Sequence, residues 1–356
     1  MLRLLRPRAH LSLRRHTRCI SSSFDVRPHE LSASGQPGRV LFGAKVAATQ
    51  LGALSRASGM RKVLLVRDRD AAAASRTQYA EFLLMQAGVP CFQYTLERDC
   101  ATLQGVEHAA ATAQRVGADG VVAFGGGNAM DTALQGALTA LGQCLESYLL
   151  GCADDTTTKL ALEGLEAVAG ALAAPLKEGK LDLKGAVLRE QFAIGSLLSG
   201  IAANSSGTGA AQALAVSMGG ISDLPHAQVA TAFLPFVFDR YAELASENEG
   251  DPFFDELREK LEDAADRLTA ASGFQGANVA AWLRYVVTRF DLPTASTLEL
   301  EESLLNGLVD RAAQYQDESM QVSRSDDIGA IMEKDDLRAI IDAAVLVVEP
   351  TKEDEK

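Results

Sequence analysis

Hydrophobic positions along this chain change their rhythm about a third of the way through. Short apolar runs at Arg39–Phe42, Lys62–Val66, Cys91–Thr95 and Gly120–Phe124 read as strands. Between them, amphipathic segments at Ala47–Ser58, 75–87 and Leu103–Val116 read as helices, closed by Gly59, Gly88 and Gly117. Strands alternating with helices of this length predict a parallel sheet with helical crossovers. After Asp131 the period becomes helical. Helices are expected at 132–150, 155–173, 184–203, 207–219, 226–243, 252–271, 276–288, 298–314 and 335–348, with almost no strand. The fold class expected is therefore an α/β N-terminal domain with a truncated, Rossmann-like parallel sheet, followed by an all-α C-terminal domain. The boundary falls near residue 133.

The two ends have a different character. Residues 1–24 carry Arg3, Arg6, Arg8, Arg14, Arg15 and Arg18, with leucines and serines and no acid before Asp25. That is the composition of a mitochondrial presequence, with Arg18-Cys19-Ile20-Ser21 suiting cleavage after Ile20. A basic tail for an acidic partner is the alternative. Residues 25–37, with Pro28, Gly35 and Pro37, read as an arm. The domain map is then presequence 1–24, arm 25–37, nucleotide-binding-like domain 38–133 and helical domain 134–356, with a charged end at Glu349–Lys356.

Charge narrows the partners. The formal net charge is −13, and removal of the six presequence arginines would take it to about −19. A chain this acidic, with no basic patch, is not expected to bind nucleic acid. No apolar stretch reaches the roughly 20 residues a membrane-spanning helix needs. The matrix, or a matrix-facing surface, is the expected location. Cys19, Cys91, Cys100, Cys144 and Cys152 form no Cys-x-x-Cys pair, which argues against a disulfide framework or structural zinc. Cys144 and Cys152 read as packing residues, not nucleophiles.

The candidate chemistry begins at Gly125-Gly126-Gly127, between a strand and a helix, followed by Asn128 and Asp131. Glycines admit close approach of a ligand, and a helix N-terminus offers free N–H groups to a phosphate. Asp68, at the end of the second buried strand, stands where an acid can accept from ribose hydroxyls. The other reading of these residues is a packing turn and a solvated acid.

Together these segments resemble the iron-containing (group III) alcohol dehydrogenase family, whose fold is of the dehydroquinate synthase-like type. Residues 38–70 are similar to its opening strand–helix–strand. Gly105–Ala133 resembles its Gly-Ala-Asp strand running into Gly-Gly-Gly-Ser-x-x-Asp, with Asn128 for Ser. Ser199–Val237 is similar to its long helical stretch, ending here in Leu224-Pro225-His226 and Leu234-Pro235-Phe236, and residues 336–346 to its closing helix. The expected mitochondrial address points further toward the hydroxyacid–oxoacid transhydrogenase branch.

The resemblance implies one Asp and three His binding a divalent metal that polarises the alcohol oxygen for hydride transfer to NAD(P). Glu146-Ser147-Tyr148 matches the family's Glu-x-Tyr and fixes the register. On that register the Asp position is Thr139, the first His position is Gln143, the next is Gln212, and only His226 keeps its imidazole; Val216 replaces a further histidine near the substrate. Two amides, a hydroxyl and one imidazole lack the charge and donor strength that hold Fe or Zn. Only seven residues separate Asp131 from Thr139, where the family carries a long nucleotide-contacting segment. A truncated sheet and a half-walled cofactor cleft are expected. The reading is a non-catalytic, structural or accessory subunit of a mitochondrial assembly, with other protein subunits as partners. In this reading His226 is the only catalytic candidate. The alternatives are an NAD(P)-dependent alcohol dehydrogenase or transhydrogenase with an altered metal site, and a nucleotide-sensing regulator.

Overall fold

A computed structural model describes residues 29–31, 40–42, 46–67, 71–96, 103–124, 133–150, 155–182, 185–219, 224–298, 302–322 and 332–346. The first part holds β1 (His29–Leu31), β2 (Val40–Phe42), α1 (Val46–Ala57), β3 (Val63–Arg67), α2 (Ala71–Gln86), β4 (Cys91–Thr95), α3 (Leu103–Val116) and β5 (Gly120–Phe124). The parallel sheet has three strands in the order β4-β3-β5, with Val63 facing Cys91 on one side and Gly120 on the other. β3 is the centre, and its Val63, Leu64 and Leu65 are buried on both faces. That explains the unbroken apolar run there, where a half-exposed strand would alternate. α2 lies against the sheet through Leu84, and α1 packs on α2, where a side chain at Gly52 would collide with Ala87.

β2 departs from expectation. It is not a fourth parallel strand but pairs antiparallel with β1, His29 facing Phe42. β1 lies inside the stretch read as an arm. Three residues carry too little pattern to announce a strand, and pairing with β2 satisfies their backbone groups.

The helical part begins with α4 (Ala133–Leu149), α5 (Asp155–Glu178), α6 (Ala186–Ser206), α7 (Ala210–Gly219) and α8 (His226–Glu247). It continues with α9 (Pro252–Ser272), α10 (Val279–Arg289), a 3₁₀ turn at Ala295–Leu298, α11 (Glu302–Val322) and α12 (Lys334–Leu346). Among the described residues no strand follows β5. One continuous core joins these helices, with α8 at its centre: Val229, Phe233, Leu234, Val237, Phe238 and Tyr241 are all buried. The ends are set locally. Asp251 accepts from the Phe253 N–H at 2.9 Å with Pro252 at the first turn, and Gly273 ends α9 in the left-handed region at φ 70°. α5 runs five residues past the expected end at 173, through Pro175 to Glu178. A proline forfeits one helical N–H, but the Pro175 carbonyl still accepts from Gly179 N at 2.8 Å. No helix among the described residues is long and apolar enough to cross a membrane.

Candidate functional site

The four family ligand positions lie on three helices. Thr139 and Gln143 stand one turn apart on α4, Gln212 is in the first turn of α7, and His226 is the first residue of α8. Each spends its polar atoms nearby. Thr139 Oγ1 donates to the Gln135 carbonyl of its own helix at 2.9 Å. Gln143 Oε1 accepts from Ser199 Oγ of α6 at 3.1 Å. Gln212 Oε1 and His226 Nε2 meet at 3.2 Å, a hydrogen-bond distance whose donor depends on the imidazole tautomer. Among the described residues, no hydrogen bond joins the α4 pair to the Gln212–His226 pair.

Burial pushes the His226 imidazole below its usual range, opposed by the Ala215 backbone. The ring is neutral at physiological pH. The unfolded chain takes up a proton near 6.5 and the folded chain only at lower pH, so this group's contribution to stability is lost as pH falls below 6.5. An NMR titration of the His226 ring should give a midpoint below 6.5. A midpoint above that value would contradict the buried, hydrogen-bonded setting.

Glu146, used in the sequence only to fix a register, is the most constrained group nearby. Its carboxylate is buried on α4 and points at the N-terminus of α7, where Oε1 accepts from the Ala211 N–H at 3.0 Å. Tyr241 Oη of α8 donates to the same oxygen at 3.4 Å. A side chain at Gly209 would displace this carboxyl, because a Cβ there would lie 2.4 Å from the Glu146 carboxyl carbon. Burial pushes this acid up to about 7, against the pull of the Ala211 amide, the Tyr241 hydroxyl and the Gln212 and Gly209 amides. Two residues on, Tyr148 Oη donates to Asp263 of α9 at 2.9 Å. Cys144 is sealed in the core and burial pushes its thiol up to about 12, so it is inert as a nucleophile.

These donors do not fit a transition metal. They are one imidazole, two neutral amides and a hydroxyl, with no anionic oxygen to balance a dication. The buried Glu146 carboxylate, three residues from Gln143, is committed to α7. Among the described residues, no three His, Cys, Asp or Glu side chains group in a way that could hold a metal ion.

The nucleotide-side candidates Asp68, Gly125, Gly126, Gly127, Asn128 and Asp131 lie outside the described residues. The strands that lead to them end side by side, Arg67 of β3 facing Phe124 of β5 in parallel register. Both strands therefore end at the same edge of the sheet, the carboxyl end at which open α/β sheets bind ligands.

Comparison with known proteins decides the family. The profile described as "Iron-containing alcohol dehydrogenase" matches residues 37–166, and that described as "Fe-containing alcohol dehydrogenase family, C-terminal" matches residues 133–335. The chain belongs to the iron-containing alcohol dehydrogenase family. Its fold is shared with several solved structures. The archaeal Red Sea brine pool alcohol dehydrogenase ADH/D1 superposes with a TM-score of 0.63 at 17% identity, over 85% of this chain and 95% of that one. The iron-containing alcohol dehydrogenase of Thermococcus thioreducens gives 0.59 at 15% identity, over 83% and 96%. Maleylacetate reductase from Agrobacterium tumefaciens gives 0.57 at 16% identity, over 85% and 94%. No curated sequence relative matches the chain. Within this iron-dehydrogenase fold, Ser199 and Tyr241 are the site residues that sequence reasoning missed. The unpaired acid of Glu146-Ser147-Tyr148, on a helix otherwise free of charge, was the available signal.

Proposed function

We propose that this protein is a non-catalytic member of the iron-containing alcohol dehydrogenase family, serving as a structural or accessory subunit of a mitochondrial assembly. One observation carries the reading: each of the four ligand positions spends a polar atom on its own helix, on Ser199 of α6 or on another of the four, and none is anionic. Without a Lewis acid, the alkoxide that hydride transfer requires has no electrostatic stabiliser at this site. The acid-free arginine series at the N-terminus supports the mitochondrial address. Apolar side chains on the α/β domain support a protein partner. Tyr79, Phe82 and Met85 of α2 are each more than half exposed, as is Val121 of β5.

Family membership equally fits an NAD(P)-dependent alcohol dehydrogenase or transhydrogenase with an altered site, and one assay separates the two. The mature chain is supplied with Fe(II) or Zn(II) and tested on alcohols and short hydroxyacids with NAD(P). The accessory-subunit reading expects no turnover above the metal-only blank. Turnover abolished by His226→Ala would establish the enzyme instead.

A further inference from the structure

We propose that the Glu146 carboxyl, sealed between α4, α7 and α8, is a proton-operated latch on the N-terminus of α7 that sets the position of Gln212 and so the partner of His226. The inference concerns how the site is held, and stands whether or not the site turns over.

The geometry has three parts. First, the acid is fully buried and receives donors from two other helices: the Ala211 N–H at 3.0 Å from α7 and the Tyr241 hydroxyl at 3.4 Å from α8. Second, the chain is shaped around it. Gly209 leaves the space that the carboxyl group fills, and the neighbouring Thr208 is pinned by Ser319 of α11 through its N–H at 2.9 Å and its hydroxyl at 2.8 Å. Third, Gln212 directly follows the held amide, and its side chain reaches His226. Moving the first turn of α7 therefore moves the histidine's partner.

Each hydrogen-bond partner of the acid among the described residues is a donor, which is why its proton matters. An ionised carboxylate accepts from all of them and complements the positive end of the α7 dipole. A protonated carboxyl turns one oxygen into a donor, and a donor facing N–H groups loses a hydrogen bond to them. Among the described residues no cation acts on this acid. α7 presents backbone amides and α8 presents the Tyr241 phenol, which burial keeps protonated. From α5, α6 and α9, which also pack on α4, no charged side chain hydrogen-bonds or ion-pairs with Glu146 among the described residues; Asp263 of α9 is taken by Tyr148. Burial opposes the charge and the donors favour it, and the balance falls near neutrality.

The test follows the backbone amides of Gly209, Ala211 and Gln212, and the Gln212 side-chain amide, by NMR of the full chain through a pH series spanning neutrality. All four resonances should shift together with one midpoint near neutrality. The shift should persist in His226→Asn, which removes the other titrating group at the site, and vanish in Glu146→Gln, which keeps the shape. If Glu146→Gln does not fold, the His226→Asn chain carries the test alone. Resonances with no common midpoint, or a transition lost in His226→Asn, would overturn the latch.

Discussion

Placing an aspartate and two histidines at the degenerate positions, as Thr139→Asp, Gln143→His and Gln212→His together, should give a chain that holds about one divalent metal, where the wild type is expected to retain far less than one. The backbone places these positions well for it. Residues 139 and 143 are one turn apart on α4 and so share a face, the spacing at which two donors can reach one ion. Gln212 already touches His226, so an imidazole at 212 would stand beside the imidazole at 226. The aspartate restores the anionic oxygen that the present set lacks. Each single change should do little, because a lone added donor leaves coordination incomplete; the gain should appear only when the carboxylate and imidazoles are combined. Metal content after dialysis, measured for singles and the triple variant, checks this. A triple variant that folds yet retains no metal would show that the α4 pair and the Gln212–His226 pair do not converge.

Trp282→Ala should cost about 3–5 kcal/mol of folding stability, the range for deleting a large buried aromatic. Trp282 is among the largest fully buried side chains and lies in α10 against the helical core. Its indole N–H donates to Ser272 Oγ at 3.0 Å, and that hydroxyl also donates to the Leu268 carbonyl and accepts from the Phe274 N–H. The substitution therefore opens a cavity and strips a donor from the junction where α9 ends. The backbone is tight here too: a Cβ at Gly276 would lie 3.0 Å from Trp282 Cβ, which leaves the loop little freedom to collapse into the void. Chemical denaturation of the purified domain-intact chain measures the effect. A loss under about 1 kcal/mol would mean that the site repacks.

Periodicity was sufficient for the three parallel strands and for every helix of the C-terminal region, because long amphipathic or fully buried segments carry their own signal. It failed where structure depends on distant partners. β1 exists through its pairing with β2. α11 continues to Val322, past the expected end at 314, through Gln316, which is buried, and Ser319, which is bonded to Thr208 across 111 residues. The site was legible as positions and not as contacts. The register anchored on Glu146-Ser147-Tyr148 put Gln212 and His226 together, and they touch. The partners that hold the site, Ser199 for Gln143 and the Ala211 amide and Tyr241 for Glu146, lie 56, 65 and 95 residues away. No spacing rule connects them, since only tertiary packing decides which side chain satisfies a buried acid or amide.

The central claim is that the donor set at Thr139, Gln143, Gln212 and His226 no longer makes a metal centre. The most direct measurement is elemental analysis of the mature wild-type chain, loaded with excess Fe(II) or Zn(II) and then dialysed against metal-free buffer. The account predicts metal far below one equivalent, unchanged by His226→Ala. Stoichiometric metal that survives dialysis and is lost in His226→Ala would contradict it.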